Sequence, residues 1–349
     1  MAVEKLVVRF DHWVDPIFDR TLSQASGISL EVLSRDTSDA AMRRLAAAHV
    51  YQISPAVNEL PLPWRANKEL LAQCPNLLCV SSGGAGHDTV DVDACTRAGI
   101  AVVNQVGGNA ASVAEYAIGM MLAVSRRIAE SDRKLRSRRG YTREDLMGHE
   151  ITGKTLGLVG IGHTGRAVAG LARAFRMRVL AYDPLLSSEE ISARGAESAD
   201  LPALLGQSDI VSLHCPLDSS TRSLMDAEAY AKMKKGAIFI STARGGIHDE
   251  LALRAALADG HLAGAGLDVW ESEPPALDHP LLALDNVVAG FHTAGVSHEG
   301  RRNVAAMAAD QILAFLRGET PPRLVNPDVW PVLQARFARL LGMQIAGNT

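Results

Sequence analysis

A glycine pattern halfway along the chain restricts its fold more than any other feature. Gly160, Gly162 and Gly165 form a Gly-x-Gly-x-x-Gly fingerprint between an apolar stretch and a segment of helical pattern. In such a unit the first glycine permits a tight turn, the second lets the main chain approach a pyrophosphate, and the third lets helix and strand pack closely. The pattern predicts a dinucleotide at the start of a helix, with His163 and Thr164 in the same turn.

An acidic residue at the end of the next predicted strand supports this interpretation. Asp183 lies 18 residues after Gly165, where a carboxylate can accept hydrogen bonds from the ribose hydroxyls of NAD. The carboxylate would repel a 2′-phosphate, and the neighbouring Tyr182 and Pro184 offer no cation, so we expect NAD rather than NADP. A glycine-rich turn without a ligand is the alternative interpretation.

Strand-like and helix-like segments alternate along most of the chain. We predict strands at 5–10, 30–33, 50–53, 77–81, 179–183, 209–214, 236–240, 264–269 and 286–289. We predict helices at 15–25, 38–48, 64–73 and 166–176. This alternation indicates parallel sheets with helices on both faces.

The position of the fingerprint predicts how the domains are arranged. We expect an α/β protein with two doubly wound parallel-sheet domains, in which a Rossmann cofactor domain is inserted into a split, flavodoxin-like substrate domain. The cofactor domain comprises residues 106–293, and the substrate domain comprises 1–105 and 294–349. A long helix over 112–138 bridges the two, and a helix over 297–317 returns to the substrate domain.

Composition and charge exclude several other classes of protein. A hydrophobic content of 47% with a charged content of 21% is typical of a globular chain, and a net charge of -4 offers no general attraction to nucleic acid or anionic lipid. The longest apolar run, 117–124, is too short to cross a bilayer, and the N-terminal residues lack the pattern of a signal peptide. The basic run within 133–139 is interleaved with acids and has no aromatic platform, which favours a solvated or subunit-facing surface. We expect a cytoplasmic protein with no nucleic-acid or membrane partner.

The cysteines give no sign of a metal site or a disulfide framework. They form neither a Cys-x-x-Cys pair nor a metal-ligand spacing, so we expect reduced, buried thiols and no metal. The four are Cys74, Cys79, Cys95 and Cys215.

Three ionisable residues follow three successive late strands. Arg244, Glu273 and His292 lie in loops that share one crevice if the sheet is parallel. A dehydrogenase needs a cation for its substrate, a proton acceptor and a group that tunes the acceptor. Each residue also has an alternative interpretation without a catalytic role. Arg244 could form an ion pair on the surface, and His292 could be a structural histidine. Glu273 could be an ordinary acidic residue of the loop, and the neighbouring Glu271 could take its role. Their shared location favours a catalytic trio.

The chain resembles the D-isomer-specific 2-hydroxyacid dehydrogenases over nearly its whole length. The resemblance is carried by Gly84–Asp91, Gly108–Asn109, Val113–Glu115, the fingerprint with Asp183, His214–Leu217, Thr242–Gly245, Asp249–Glu250, Leu267–Val269, Glu273–Pro274 and His292. It implies that Arg244 holds the substrate carboxylate, that His292 exchanges a proton with the 2-hydroxyl, and that Glu273, directly before the proline, pairs with His292.

The resemblance implies further contacts and an assembly. Amides around Ala85 and Gly86 are expected to bind the carboxylate of a 2-hydroxy or 2-keto acid, and Asp268 is expected at the nicotinamide end. The remaining expected cofactor contacts are Ser112, His214, Cys215, Pro216, Thr221, Thr242 and Ala243. A homodimer joined through the cofactor domains is also implied, and the run 117–124 is too rich in apolar residues for one solvated face.

Two departures from the family pattern leave questions open. Gly290-Phe291 precedes His292 where the family often has Thr-Pro, and Gln52–Pro55 carries no arginine where phosphoglycerate-type members have basic residues. Two other functions remain as alternatives: an NAD(H)-sensing binding protein, like the corepressors of this fold, and a formate- or phosphite-type dehydrogenase.

Two loops near the predicted substrate site lack charged residues, and this indicates what the far end of the substrate carries. A distal phosphate or carboxylate needs a cation or several amides to replace its lost hydration. The loops after 50–53 and after Val80 carry no charge, and the nearest basic residues, Arg65 and Lys68, are expected to face solvent. We therefore expect a D-2-hydroxy acid with an uncharged tail, bordered by His12, Trp13 and Trp64.

Overall fold

The computed structural model describes residues 4–35, 39–57 and 59–346. The chain divides into two compact units, here called the first unit (Met1–Asn109 with His298–Thr349) and the second unit (Ala110–Ser297). Each contains one parallel sheet, so the predicted α/β class with two parallel sheets is confirmed.

Strands and helices alternate within the described ranges. The strands are β1 (Lys5–Phe10), β2 (Ile28–Leu33), β3 (Val50–Ile53), β4 (Cys79–Ser82), β5 (Ala101–Val103), β6 (Thr155–Val159), β7 (Arg178–Tyr182), β8 (Glu197–Ser198), β9 (Ile210–Leu213), β10 (Ala237–Ser241), β11 (Leu262–Leu267) and β12 (Val287–Ala289). The α-helices are α1 (Ile17–Ser23), α2 (Asp39–Ala47), α3 (Lys68–Gln73), α4 (Val92–Ala98), α5 (Ala110–Ser125), α6 (Ile128–Ser137), α7 (His163–Ala174), α8 (Ser188–Ala193), α9 (Leu201–Gln207), α10 (Ala227–Lys232), α11 (Glu250–Ala258), α12 (His298–Leu316) and α13 (Trp330–Leu341). Short 3₁₀ turns lie at Leu62–Trp64, Glu144–Leu146 and Pro327–Val329.

The strand order of each sheet places a crevice at a defined point. The first unit has the order β2-β1-β3-β4-β5, and the second has β12-β11-β10-β9-β6-β7-β8. In an open α/β sheet, ligands bind beyond the carboxyl ends of the strands where the order reverses. That point lies beside β1 and β3 in the first unit and beside β6 and β9 in the second.

Two helices of the second unit have caps that are encoded locally. Asp226 and Asp249 stand immediately before α10 and α11, and each carboxylate accepts the backbone amide three residues further on. Such caps satisfy amides that have no partner inside the helix and complement its dipole. The cap at Asp249 fixes the start of α11 directly after the loop that carries Arg244.

Apolar side chains cover both faces of each sheet. In the first unit, Phe10 packs against Trp64 with ring centroids 4.7 Å apart, and Phe315 of α12 packs edge-on against Phe337 of α13 at 5.4 Å. In the second unit, α5 packs on β10 and β11, and Met120 and Met121 of α5 are buried in its core. The apolar run 117–124 therefore packs largely inside its own unit.

The prediction of one bridging helix over 112–138 is wrong. The segment forms α5 and α6, separated at Arg127, which has φ of 53° in the left-handed region. A left-handed residue ends the α-helical hydrogen-bond ladder. The Arg127 guanidinium holds this turn, since it binds the Glu130 carboxylate through two bonds of 2.7 Å and donates to the carbonyl of Asp145.

Several predicted boundaries also differ from the structure. The predicted helix 64–73 is a 3₁₀ turn ending at Trp64 followed by α3, because Asn67 caps α3 through the amide of Leu70. The predicted helix 166–176 begins at His163 and ends at Ala174, because Arg176 has φ of 57°. The first residue of the predicted helix 38–48 lies outside the described residues.

Two kinds of feature are absent from the described part of the chain. None of its helices is long and apolar enough to cross a membrane. It holds no cluster of three or more histidine, cysteine or acidic side chains arranged for a metal ion.

Candidate active site

The fingerprint glycines leave room at the start of α7. Gly160 has φ of 89°, and a Cβ there would lie 2.9 Å from the amide of Cys215. A Cβ on Gly165 would overlap the carbonyl oxygen of Gly160, so the helix packs tightly on the turn. At Gly162 a Cβ would meet nothing within 4 Å, and no side chain caps the helix that begins at His163 and Thr164. The amides at this helix end therefore face open space suited to a diphosphate.

Asp183 lies beside the fingerprint at the end of β7. Its Oδ2 accepts the amide of Ile161 at 3.1 Å, and its Oδ1 accepts the amide of Leu185 at 3.2 Å. These bonds hold the carboxylate in place, and its remaining lone pairs can accept hydroxyl groups. A carboxylate held in this way can accept the ribose hydroxyls of NAD, and this role of Asp183 stays a prediction.

The loop after β9 carries the next predicted cofactor residues. His214 Nε2 lies 2.9 Å from Ser212 Oγ, and burial lowers the pKa of His214 to about 4, so the ring is neutral at pH 7. Burial raises the pKa of the Cys215 thiol to about 11, which excludes it as a nucleophile near neutral pH. Thr221 Oγ1 donates to the carbonyl of Pro216 at 2.7 Å and closes the loop.

Buried hydroxyl groups at the end of β10 lack partners. Ser241 Oγ and Thr242 Oγ1 are both buried and form no hydrogen bond with any described residue. Such groups normally have a protein, water or ligand partner. They lie next to Ala243, at the carboxyl edge where the fingerprint also lies. Ser112, in the first turn of α5, contacts Ser297 through their hydroxyls at 2.7 Å.

His292 and Glu273 form a direct pair. His292 Nδ1 lies 2.7 Å from Glu273 Oε2, and Glu273 Oε1 accepts the amide of Trp270 at 3.1 Å. The His292 side chain is 40% exposed, and its Nε2 makes no hydrogen bond with another described residue. Glu271 instead donates its amide to the Glu250 carboxylate at 2.8 Å. Glu273 is thus the acid that contacts the histidine.

The environment keeps Glu273 ionised. Burial acts to raise the pKa of Glu273, but the hydrogen bond and charge of His292, the amide of Trp270 and the charge of Arg244 together lower it. A carboxylate in this position stabilises positive charge on the imidazole. The effect of Arg244 also shows that the three predicted residues share one electrostatic environment.

The loop of Arg244 packs closely on the loop of Glu273. A Cβ on Gly245 would overlap the carbonyl group of Trp270, so glycine is required for this approach. Arg244 itself is partly buried, and its Nη1 donates to the carbonyl of Ala243 at 2.7 Å.

Asp268 organises the segment around His292. Its carboxylate accepts the amides of Thr293 at 3.0 Å and Ala294 at 2.7 Å, and its carbonyl accepts the amide of His292 at 2.7 Å. Burial raises the pKa of Asp268, and these amides partly oppose that effect. His292 is held with φ of 51°, a strained conformation for a non-glycine residue.

Steric crowding explains why a glycine stands at position 290. A Cβ there would overlap Asp268 Oδ1 and would lie 2.5 Å from the hydroxyl oxygen of Tyr116. The same Tyr116 hydroxyl lies 3.3 Å from Thr293 Oγ1. The departure from the family pattern before His292 therefore leaves space for a tyrosine hydroxyl from α5.

The predicted carboxylate-binding loop belongs to the first unit. Ser82 Oγ donates to the carbonyl of Gly86 at 2.5 Å, and Asn104 Nδ2 donates to that of Ala85 at 2.9 Å. The amides of Ala85 and Gly86 donate no hydrogen bond to any described residue. The loop is thus fixed by its carbonyls and can offer its amides to an anion.

One basic side chain in the first unit was missed by the sequence analysis. Arg301 of α12 lines a shallow pocket with His12, Gln52 and Gly83, at the carboxyl ends of β1, β3 and β4. The expectation that Arg65 and Lys68 are the nearest basic residues is therefore wrong. Arg301 lies far along the chain from these strands, and only the packing of α12 in the first unit could have indicated it.

Comparisons with known proteins agree with this geometry. A family model described as the D-isomer specific 2-hydroxyacid dehydrogenase NAD-binding domain matches residues 118–294. The chain is 41% identical over 272 residues to the glyoxylate reductase of Korarchaeum cryptofilum, covering 77% of this chain and 82% of that enzyme. It is 40% identical over 268 residues to the D-3-phosphoglycerate dehydrogenase of Archaeoglobus fulgidus, covering 76% of this chain and 51% of that enzyme, so it spans about half the length of that relative. A crystal structure of a glyoxylate reductase from Paecilomyes thermophila matches with a TM-score of 0.81 and 28% identity, covering 93% of this chain and 99% of that one.

Proposed function

The chain belongs to the D-isomer specific 2-hydroxyacid dehydrogenase family, and from that premise we propose how its own residues carry out the reaction. The chain is an NAD-dependent oxidoreductase of this class, as its sequence resemblance implied. In the oxidative direction a 2-hydroxy acid and NAD⁺ give a 2-keto acid, NADH and one proton. The dinucleotide supplies the hydride chemistry when it is bound.

His292 is the proton-transfer group in our proposal. Its Nε2 removes the hydroxyl proton in oxidation and returns a proton to the carbonyl oxygen in reduction. Glu273 fixes the ring through Nδ1, which leaves Nε2 for the substrate, and stabilises the positive charge that the ring gains. The 2.7 Å contact between Nδ1 and Glu273 Oε2 is the observation that carries this assignment.

Arg244 and the loop of Ala85 and Gly86 orient the substrate. A guanidinium binds a carboxylate through two parallel hydrogen bonds, and it also polarises a neighbouring carbonyl. In the first unit, the amides of Ala85 and Gly86 donate no hydrogen bond to a described residue, so they too can bind a carboxylate.

A turnover panel tests the proposal against its alternatives. The relatives above are named for glyoxylate and for D-3-phosphoglycerate, so glyoxylate, hydroxypyruvate and longer 2-keto acids are the first substrates to examine. We expect NADH oxidation with at least one of them. An NAD(H)-sensing protein would bind NADH but would reduce none of these substrates. A formate- or phosphite-type dehydrogenase would be active only when formate or phosphite is the hydride donor. His292→Ala should abolish turnover and preserve NADH binding measured by fluorescence.

We propose that the protein prefers NAD to NADP. The proposal is supported by the carboxylate of Asp183, which lies beside the fingerprint and is held by hydrogen bonds from the backbone amides of Ile161 and Leu185. The opposing charges disfavour the phosphorylated cofactor. Equal kcat/KM with NADH and NADPH would contradict this preference.

We also propose a cytoplasmic homodimer. The four cysteines are free in the structure, as is usual for proteins of a reducing compartment. The apolar run of α5 packs inside its own unit, so it no longer supports a dimer. Exposed apolar side chains of α6 and of the segment after it support the dimer instead. There Ile128, Leu135 and Met147 are 56%, 60% and 71% exposed. Cell fractionation tests the location.

A further inference from the structure

We propose that the pocket around Arg301 in the first unit receives a second anionic group at the far end of the substrate. This inference rests on the proposed function and narrows its substrate to 2-keto or 2-hydroxy acids with an acid group at both ends. It replaces the uncharged tail expected from the sequence.

The pocket combines the carboxyl ends of three adjacent strands with one face of α12. His12 follows β1, Ser54 follows β3 and Gly83 follows β4, and these strands are neighbours in the sheet. Arg301 contributes the guanidinium from α12. The pocket is therefore part of the edge of the sheet at which α/β proteins bind ligands.

Arg301 has no partner in the described part of the chain. Its guanidinium forms neither a hydrogen bond nor an ion pair there, although the residue is partly buried, whereas its neighbour Arg302 is exposed. A partly desolvated guanidinium that makes no direct ion pair loses hydration that an anion would replace. Its planar donors suit a carboxylate, a sulfonate or a phosphate.

Other lining groups support an anion with a short carbon chain. His12 Nδ1 is buried without a hydrogen-bond partner among the described residues, so the pocket holds a second unsatisfied polar atom. Val304 and Pro55 add apolar surface for methylene groups. Burial lowers the pKa of His12, and the charges of Arg9, Arg35 and Arg301 lower it further against the opposing effect of Glu59, so its ring is a neutral donor.

The charge of the pocket limits the anion it suits. Asp15 also lines the pocket, and its Oδ1 accepts the amide of Ile17 at 2.9 Å. Because Asp15 offsets the charge of Arg301, the lining carries no net charge, and Asp15 repels a dianionic phosphate more strongly than a group with a single negative charge. We therefore expect a carboxylate or sulfonate to be preferred.

The carboxylate-binding loop continues directly from this pocket. Gly83 lines the pocket, and Gly86 follows three residues later, a chain length of at most about 11 Å. A short substrate can therefore place its first carboxylate on the amides of Ala85 and Gly86 and its far end at Arg301. Both contacts belong to the first unit.

The test compares matched substrates in three forms of the full chain. The wild type, Arg301→Gln and the control Arg302→Gln are assayed for NADH-dependent reduction of oxaloacetate, 2-ketoglutarate, sulfopyruvate and phosphohydroxypyruvate. Each substrate with a charged tail is compared with a counterpart of similar length whose tail is uncharged, such as 2-ketobutyrate, 2-ketohexanoate or hydroxypyruvate. We expect Arg301→Gln to lower kcat/KM for the carboxylate or sulfonate substrates by roughly 10- to 100-fold, which corresponds to loss of a charge-assisted hydrogen bond. For the substrates with an uncharged tail in Arg301→Gln, and for all substrates in Arg302→Gln, kcat/KM should change less than about threefold.

The outcomes separate the two hypotheses. Equal losses of kcat/KM for substrates with charged and uncharged tails in Arg301→Gln, or no loss for either, would overturn the anion pocket. A wild type that prefers the member of each pair with the uncharged tail would overturn it too. A wild type that reduces no 2-keto acid at all would contradict the proposed function itself. If phosphohydroxypyruvate is the only substrate affected, the charge argument built on Asp15 is wrong and the pocket is a phosphate site.

Discussion

Proton transfer at His292 depends on the negative charge of Glu273. The pKa of Glu273 is lowered despite its burial, chiefly because His292 donates to it and contributes positive charge. The stabilisation from this pair is present above the unfolded pKa of a glutamate, about 4.3. It is lost as the pH falls through the lower folded value. At neutral pH the Glu273 carboxylate is therefore ionised and its contact with His292 is intact.

Replacing Glu273 by glutamine keeps a hydrogen-bond acceptor for the ring but removes its charge. Reduction of the keto acid requires a protonated imidazole, and the missing charge makes that form less stable. We expect the alkaline limb of the reduction profile to move to lower pH by about one unit. The measurement is kcat/KM against pH, and Glu271→Gln is the matched control. A shift in the control and none in Glu273→Gln would assign the role to Glu271.

Gly290 should tolerate no side chain. A Cβ would overlap the Asp268 carboxylate and crowd the Tyr116 hydroxyl. We expect Gly290→Ala to lower the free energy of unfolding by about 1 to 3 kcal/mol and to reduce turnover, because the main chain around His292 must shift. When Tyr116→Phe is combined with Gly290→Ala, part of the lost stability should return, because the crowded hydroxyl is removed. Denaturant unfolding and steady-state assays measure both effects.

Gly119 provides the control for that substitution. It lies in α5, where a Cβ would meet nothing within 4 Å. Gly119→Ala should therefore be neutral or slightly stabilising. If both alanine variants are equally stable and active, the crowding at Gly290 has no energetic consequence.

Some of these residues were predictable from sequence and others were not. Arg244, Glu273 and His292 each follow a strand of one parallel sheet, so strand patterns alone placed them at one edge. Arg127 could not be recognised as a helix break, because arginine has no preference for the left-handed region and the turn depends on its contacts. Arg301 escaped prediction because a pocket between a sheet edge and a distant helix leaves no local pattern.

The α6 helix begins with a buried charge cluster that should determine its stability. The hydrogen bonds from Arg127 lower the pKa of Glu130 to about 2, and Lys134 contributes in the same direction against the effect of burial. Because the folded pKa is lowered, the stabilisation is present above the unfolded value of about 4.3 and is lost as the pH falls toward 2.

Glu130→Gln should accordingly destabilise the protein at neutral pH. We expect a loss of about 2 to 4 kcal/mol at pH 7, because two cations lose a buried partner, and a smaller difference from wild type at pH 3. Asp132→Asn removes an exposed pair with Arg136 on the same helix and should change stability by less than about 1 kcal/mol. Thermal unfolding at both pH values measures this. Equal effects of the two substitutions would contradict the role of the buried cluster.

At the scale of the whole molecule, the exposed apolar side chains of α6 suggest a contact between two copies. Ile128 and Leu135 are 56% and 60% exposed on a helix that is otherwise rich in charge. We expect a dimeric mass by light scattering at micromolar concentration. Leu135→Glu should shift it toward the monomer, because a buried charge without a partner is costly. A monomeric wild type would refute the dimer, and an unchanged dimer in Leu135→Glu would place the contact elsewhere.

The split first unit also has a consequence for synthesis on the ribosome. Its sheet is complete once β5 has emerged, but α12 and α13, which supply Phe315 and Phe337 to its core, are made only after the entire second unit. The second unit has all of its own strands before then. One apolar face of the first sheet therefore stays uncovered while nearly 190 further residues are translated. During this period chaperone binding competes with aggregation. Vectorial synthesis thus lets the nucleotide-binding half mature before the half that comes first in the sequence.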